Sequence, residues 1–265
     1  MIRLGTTSYI LPDNIIPNVR YLAPMVDDIE LVLFESKEES NLPSPGDIRT
    51  LVQLSRDYNL TYTVHFPLDV YPGSFDAKVR QTTLETYLKI IRLTESLGSF
   101  AYVFHLTPES FGLRASVDER HWLECTEQTL SCLLERTGLA PSLFCAETLS
   151  YPFSLVLPLV RKLGLGVTLD IGHVWNMGFD ENQAQSSLLP LARICHLHGV
   201  QGRIDHQSLV KGDPALVAGF LSALERQYAL DGKDRVLTLE VFTQDDFLTS
   251  LSLLQEHYQA ILHLR

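Results

Sequence analysis

No apolar run in this 265-residue chain approaches the length needed to span a bilayer, so no transmembrane helix is expected. Cysteine is sparse. Its four representatives, Cys125, Cys132, Cys145 and Cys195, form no C-x-x-C pair and sit in apolar periodic segments, which reads as buried free thiols rather than a disulfide framework or a zinc ribbon. Basic residues are also in deficit: 21 Lys and Arg against 32 Asp and Glu leave a formal charge of −11. Affinity drawn mainly from a nucleic-acid backbone is therefore disfavoured, because that mode needs clustered cations. A small phosphorylated substrate is not excluded, since bound divalent metals reverse the local sign. No glycine-rich nucleotide fingerprint follows the first apolar run. Met1 to Tyr9 lacks the basic stretch and apolar block of a secretory signal, and a cytoplasmic location is expected.

With 45% hydrophobic residues, the chain can bury a large core as one domain over residues 1–265. Short β-branched or aromatic runs alternate with longer amphipathic ones. Strands are predicted over Ile2 to Thr6, Ile29 to Phe34, Leu60 to His65, Phe100 to His105, Leu143 to Glu147, Gly166 to Asp170, Arg193 to Leu197 and Val236 to Val241. Helices are predicted over Asp47 to Tyr58, Asp76 to Leu97, Val117 to Thr137, Pro152 to Leu163, Pro214 to Tyr228 and Asp245 to Leu262. Gly98, Gly138 and Gly164 stand where left-handed helix ends are expected. Eight such units imply an α/β fold, a closed parallel (β/α)8 TIM barrel; an open doubly wound sheet is the alternative.

Metal-capable side chains gather at the ends of the predicted strands: His65, His105, Glu147, Asp170, His173, His196, Asp205, His206 and Glu240. A lone histidine beside a strand is commonly a hydrogen-bonded structural residue. In a closed barrel, however, the C-terminal strand ends converge on one cavity, and burying this many polar groups without a ligand is costly. The set points to a polynuclear metal centre. Imidazole-rich donors suit zinc, and iron or manganese are compatible with the same ligand types.

The segments His65-Phe-Pro, Val103-Phe-His105, Cys145-Ala-Glu147, Leu169-Asp170-Ile-Gly-His173, His196-Leu-His198-Gly, Asp205-His206 and Leu239-Glu240 follow one another in chain order. Together they resemble the signature positions of the xylose-isomerase-like TIM-barrel superfamily, and within it the apurinic-endonuclease family 2 branch. That resemblance implies up to three divalent ions. His65 and His105 would hold the first, with Glu147 bridging to a second completed by Asp170, His196 and Glu240; His173, Asp205 and His206 would hold the third. The adjacent Asp205 and His206 depart from the Asp-x-His of the endonucleases and make the third ion the least secure. His196 and His198 share one strand face, so either could be the ligand; His196 is taken as the ligand and His198 as a contact to substrate or to another ligand.

The implied chemistry is phosphodiester hydrolysis by a metal-bridged hydroxide, with Glu147 orienting or deprotonating water. Leu4 to Pro12, Asn18 to Pro24 and Asp27 to Glu35 further resemble the cobamide-remodelling phosphodiesterases of the same superfamily, which implies a cobamide cleaved between phosphate and riboside. The alternative is a sugar isomerase or epimerase needing one ion on Glu147, Asp170, His196 and Glu240. A non-catalytic binding module is a third reading. Glu35 is either a solvated strand end or a wall of the substrate pocket, and Arg203 and Lys211 are either solvated loop cations or phosphate contacts. Trp175 and Tyr151 either stack on a flat ligand or pack within loops. No function is assigned to His121, His257 or His263, and the oligomeric state is not legible.

Overall fold

The computed structural model describes residues 1–36, 39–107 and 115–257. Eight parallel strands close into a barrel: β1 (Ile2–Thr7), β2 (Asp28–Val32), β3 (Thr61–His65), β4 (Ala101–Phe104), β5 (Phe144–Glu147), β6 (Gly166–Asp170), β7 (Ala192–Leu197) and β10 (Arg235–Leu239). β1 closes the ring between β2 and β10, and the Thr6 and Thr7 hydroxyls strengthen that seam by donating to the Leu239 and Val241 carbonyls, each at 2.8 Å. A small antiparallel hairpin, β8 (Gly199–Gln201) with β9 (Ile204–Gln207), rises after β7 and was not expected from the sequence.

The connecting helices are α1 (Ile15–Leu22), α2 (Pro45–Tyr58), α3 (Ala77–Thr94), α4 (Glu119–Thr137), α5 (Leu157–Leu163), α6 (Ile171–Met177), α7 (Glu181–Leu188), α8 (Pro214–Asp231) and α9 (Gln244–His257). Local chemistry sets their ends. Ser44 and Asp47 form a reciprocal capping box ahead of α2, with Pro45 in the first turn, while Gly98, Gly138 and Gly164 take the expected left-handed φ of 59°, 63° and 69°. The short helices α1, α6 and α7 escaped the periodicity reading because each has only seven or eight residues. The predicted Pro152 to Leu163 helix is split into a 3-10 turn, Phe153–Leu155, and α5. The part of the predicted last helix after residue 257 lies outside the described residues. No helix among the described residues is long and apolar enough to cross a membrane.

Strand alternation divides the core in two. Outward residues such as Ile29, Leu31, Tyr62, Val64, Tyr102 and Phe104 belong to the main layer under the helices. A separate cluster of Ala101, Val103, Cys145, Ile194 and Val236 fills the barrel interior. Two residues beyond Val103, Cys145 and Ile194 come His105, Glu147 and His196; Thr63, Thr168 and Thr238 likewise precede His65, Asp170 and Glu240. The period of two therefore carries the interior face from apolar or threonine side chains to ionisable groups at the C-terminal rim. Cys125, Cys145 and Cys195 are buried free thiols, whereas Cys132, expected to be buried, is exposed on α4 because its helical position faces away from the barrel.

Candidate metal centre

Glu147, at the end of β5, is the hub. Its Oε2 lies 3.2 Å from His65 Nε2 and 2.9 Å from His105 Nε2, and its Oε1 lies 3.3 Å from His196 Nδ1. His65 Nδ1 is 2.8 Å from the Phe66 carbonyl, to which it donates its proton, leaving Nε2 as the ring's free lone pair. His65, His105 and Glu147 thus present one buried donor group, with all ligand atoms within 4.8 Å of one another.

Asp170 ends β6 and caps α6, where its Oδ1 accepts the His173 backbone N–H at 2.7 Å. Capping fixes the carboxylate so that Oδ2 is left over for another partner. On the neighbouring strand β7, His196 Nδ1 lies 3.2 Å from Glu240 Oε2 and 3.8 Å from Asp170 Oδ2. Glu147, Asp170, His196 and Glu240 form a second buried group.

The third group differs from the expected His173, Asp205 and His206. The structure gathers His173, His198 and His206, while Asp205 instead accepts a hydrogen bond from Asn176 Nδ2 at 3.0 Å. His206 has a left-handed φ of 51° in β9, and this backbone turn swings its ring to 4.3 Å from that of His198. The hydrogen bonds define the ring nitrogens. His173 Nδ1 donates to the Thr148 carbonyl at 3.0 Å, and His206 Nδ1 to the Glu240 carbonyl at 3.1 Å, so both keep an Nε2 lone pair. His198 Nδ1 accepts the His206 backbone N–H at 2.9 Å. A neutral His198 then carries its proton on Nε2, which lies 3.2 Å from Asp170 Oδ1.

Two positions in contact with the donor groups went unnoticed in the sequence. Glu30 on β2 is fully buried, and its Oε2 lies 3.0 Å from His196 Nε2. Its signal was an acidic residue two places after Asp28 in an otherwise apolar strand. Gly172 is the other: a Cβ there would stand 2.1 Å from His198 Cε1 and 2.4 Å from its Nε2. The glycine makes the room that the His198 ring fills.

The remaining expected residues are placed elsewhere. Glu35 pairs with Lys89 of α3, which holds its carboxyl below the usual range. Lys211 Nζ pairs with Asp246 Oδ1 at 2.9 Å, and Arg203 is exposed in the hairpin turn with a left-handed φ of 68°. Trp175 Nε1 donates to Glu181 Oε2 at 3.0 Å, and the buried Tyr151 hydroxyl donates to the Leu106 carbonyl at 2.9 Å; both rings pack against other aromatic residues.

Burial alone would raise Glu147, yet the His105 and His196 imidazoles hold it well below the usual carboxylate range; His173 and His198 do the same for Asp170. Burial pulls His65 and His173 down, but neighbouring carboxylates, Glu147 for the first and Asp170 for the second, carry both up to about 9. The pocket is thus arranged to attract positive charge. Asp170 Oδ2, His173 Nε2, His196 Nδ1 and Glu240 Oε2 are buried without a hydrogen-bond partner. Leaving such atoms unsatisfied costs roughly 1–3 kcal/mol each, more for charged groups, and divalent cations are the partners these lone pairs fit.

The sequence profile of the xylose isomerase-like TIM barrel family matches residues 26–259. The chain belongs to this family. Among solved structures, a D-tagatose 3-epimerase-like protein aligns with a TM-score of 0.77 at 23% identity, over 98% of each chain. Endonuclease IV from Thermus thermophilus aligns with a TM-score of 0.66 at 18% identity, over 98% of this chain and 99% of its own. The IolI protein with a bound zinc atom aligns at 0.70 and 14% identity, over 98% of both. Sugar epimerases recur among the similar structures, and these identities speak to fold alone. Among curated proteins none matches the chain.

Proposed function

We propose that this family member is a divalent-metal-dependent phosphodiesterase acting on a small phosphorylated substrate. The observation that carries the reading is the excess of donors: beside the quartet of Glu147, Asp170, His196 and Glu240, two further sets of free imidazole lone pairs, His65 with His105 and His173 with His206, adjoin the same pocket. One ion needs only the quartet. Exchanging Asp205 for Glu30 keeps the carboxylates of the pocket at four, so three divalent ions (+6 against −4) would leave it positive and suited to a phosphodiester. When bound, such ions neutralise phosphoryl oxygens and acidify water. The chain's own part is to hold Glu147 ionised between the imidazoles, where it can orient a water and take its proton, and to keep Asp170 fixed through the His173 N–H. The likeness of the first strands to cobamide-remodelling phosphodiesterases makes a cobamide the first substrate to try. No cobamide enzyme stands among the structures named above.

A second reading, a single-ion sugar epimerase, is favoured by the recurrence of epimerases among the similar structures and by the completeness of the quartet. Glu147 and Glu240 would then move a proton beside a carbonyl. Elemental mass spectrometry of metal-loaded protein separates the two, combined with assays of a cobamide for nucleoside release and of D-tagatose for solvent deuterium uptake. Two or three ions and nucleoside release are expected. One ion and deuterium uptake would replace the first reading with the second.

A further inference from the structure

Glu30 lies on β2, and His196 on β7, with β1 and β10 between them in the ring. The Glu30 side chain nevertheless spans the barrel interior to bring Oε2 within 3.0 Å of His196 Nε2, and both residues are fully buried. Acceptance by a carboxylate fixes the proton on Nε2. The lone pair is then on Nδ1, the atom 3.2–3.3 Å from Glu240 Oε2 and Glu147 Oε1 and without a hydrogen bond of its own.

Glu30 could instead be a ligand, since it also forms a donor group with His65 and Glu240. Chemistry argues against that use. His65 Nδ1 is committed to the Phe66 carbonyl, so the ring has one lone pair, on Nε2, and this nitrogen already stands 3.2 Å from Glu147 Oε2 beside His105. One lone pair serves one ion. An ion on Glu30, His65 and Glu240 would dismantle the His65, His105 and Glu147 group, whereas the contact to His196 takes nothing from any other group.

We propose that Glu30 is the positioning residue of the centre: it holds His196 in the Nε2–H tautomer and aims Nδ1 at the Glu147, Asp170 and Glu240 oxygens, thereby setting the affinity of that site. The inference rests on the reading that the centre holds divalent ions. Carboxylates that brace a ligand histidine in this way tune both its orientation and its basicity, and their loss typically weakens metal binding about 10–100-fold.

Zinc competition against a chromophoric chelator, on full-length wild type, Glu30→Gln and Glu30→Leu, tests it. Glu30→Gln keeps a neutral acceptor in the same volume, and Glu30→Leu removes the acceptor. The expected result is one ion weakened about 10–100-fold in Glu30→Leu, a smaller loss in Glu30→Gln, and unchanged affinity for the rest. Nitrogen-15 NMR of zinc-loaded wild type gives an independent readout should the leucine variant not fold. His196 is expected to show a protonated, hydrogen-bonded Nε2 and a metal-bound Nδ1. Equal zinc affinities in all three proteins, or zinc on Nε2 of His196, would overturn the proposal. Wild type that binds no ion would instead overturn the metal reading beneath it.

Discussion

Gly172→Ala probes the join between fold and centre. Gly172 sits in the first turn of α6, one residue before His173, where alanine is the better helix former by up to about 1 kcal/mol. Against that gain, the new methyl would meet three His198 ring atoms at 2.1, 2.4 and 2.5 Å, well inside van der Waals contact. The ring must retreat by roughly 1 Å or more to restore a normal carbon contact of about 3.5 Å. It has no solvent to retreat into, because His198 is fully buried. Retreat breaks the His206 N–H contact at 2.9 Å and separates Nε2 from Asp170 Oδ1, now 3.2 Å away. Overpacking of this kind costs about 1–3 kcal/mol, and a lost buried hydrogen bond about another 1 kcal/mol, so the loss exceeds the helix gain. A net destabilisation of roughly 1–3 kcal/mol is expected, which lowers Tm by about 2–4 °C per kcal/mol in a chain of this size. Thermal unfolding and zinc stoichiometry read the two consequences together. An alanine variant as stable as wild type, with an unchanged ion count, would show that the His198 ring is not held as described.

Asp28 is buried, and desolvation, opposed by Thr61 and Thr63, pushes its pKa up to about 7. Below about pH 4 it is neutral folded or unfolded; between pH 4 and 7 the unfolded chain ionises first, which favours unfolding by up to about 4 kcal/mol above pH 7. Asp28→Asn should therefore gain stability relative to wild type between pH 4 and pH 8 in urea titrations, and a pH-independent difference would refute the burial argument. At the barrel base, the fully buried Arg235 meets Asp231 at 2.7 and 3.0 Å, with its remaining contacts to the Leu189 and Lys233 carbonyls. Asp231→Asn leaves that charge uncompensated and should cost roughly 3–5 kcal/mol at pH 7; a loss below about 1 kcal/mol would show that the carbonyls suffice. Stripping ions with a chelator should lower Tm and zinc should restore it, the stabilisation being about 2.7 kcal/mol for each occupied site at 100 times its Kd. An unchanged Tm would count against metal in the buried groups.

Alternating apolar runs, helix-ending glycines and ligand-type residues at strand ends were legible because each follows from a local rule of period or turn geometry. The helices α1 and α7 were not, since eight residues carry too few periods to register. The third donor group shows a different limit. Neighbouring positions 205 and 206 looked like a ligand pair, but the left-handed backbone at His206 sends that ring toward His198 and leaves Asp205 to Asn176. That turn is set by the β8–β9 hairpin, which nothing in the spacing announced. Glu30 was hidden for a third reason. On β2 it reads as one acid among apolar neighbours, and its meaning comes only from closure, which sets a carboxylate of the second strand opposite a histidine 166 positions later. Sequence periodicity can say which face a side chain takes; the residue across the barrel is decided by how many strands close it. The candidate donor residues were therefore easier to find than Glu30, His198 and Gly172, whose contacts are with those residues rather than with the space between them.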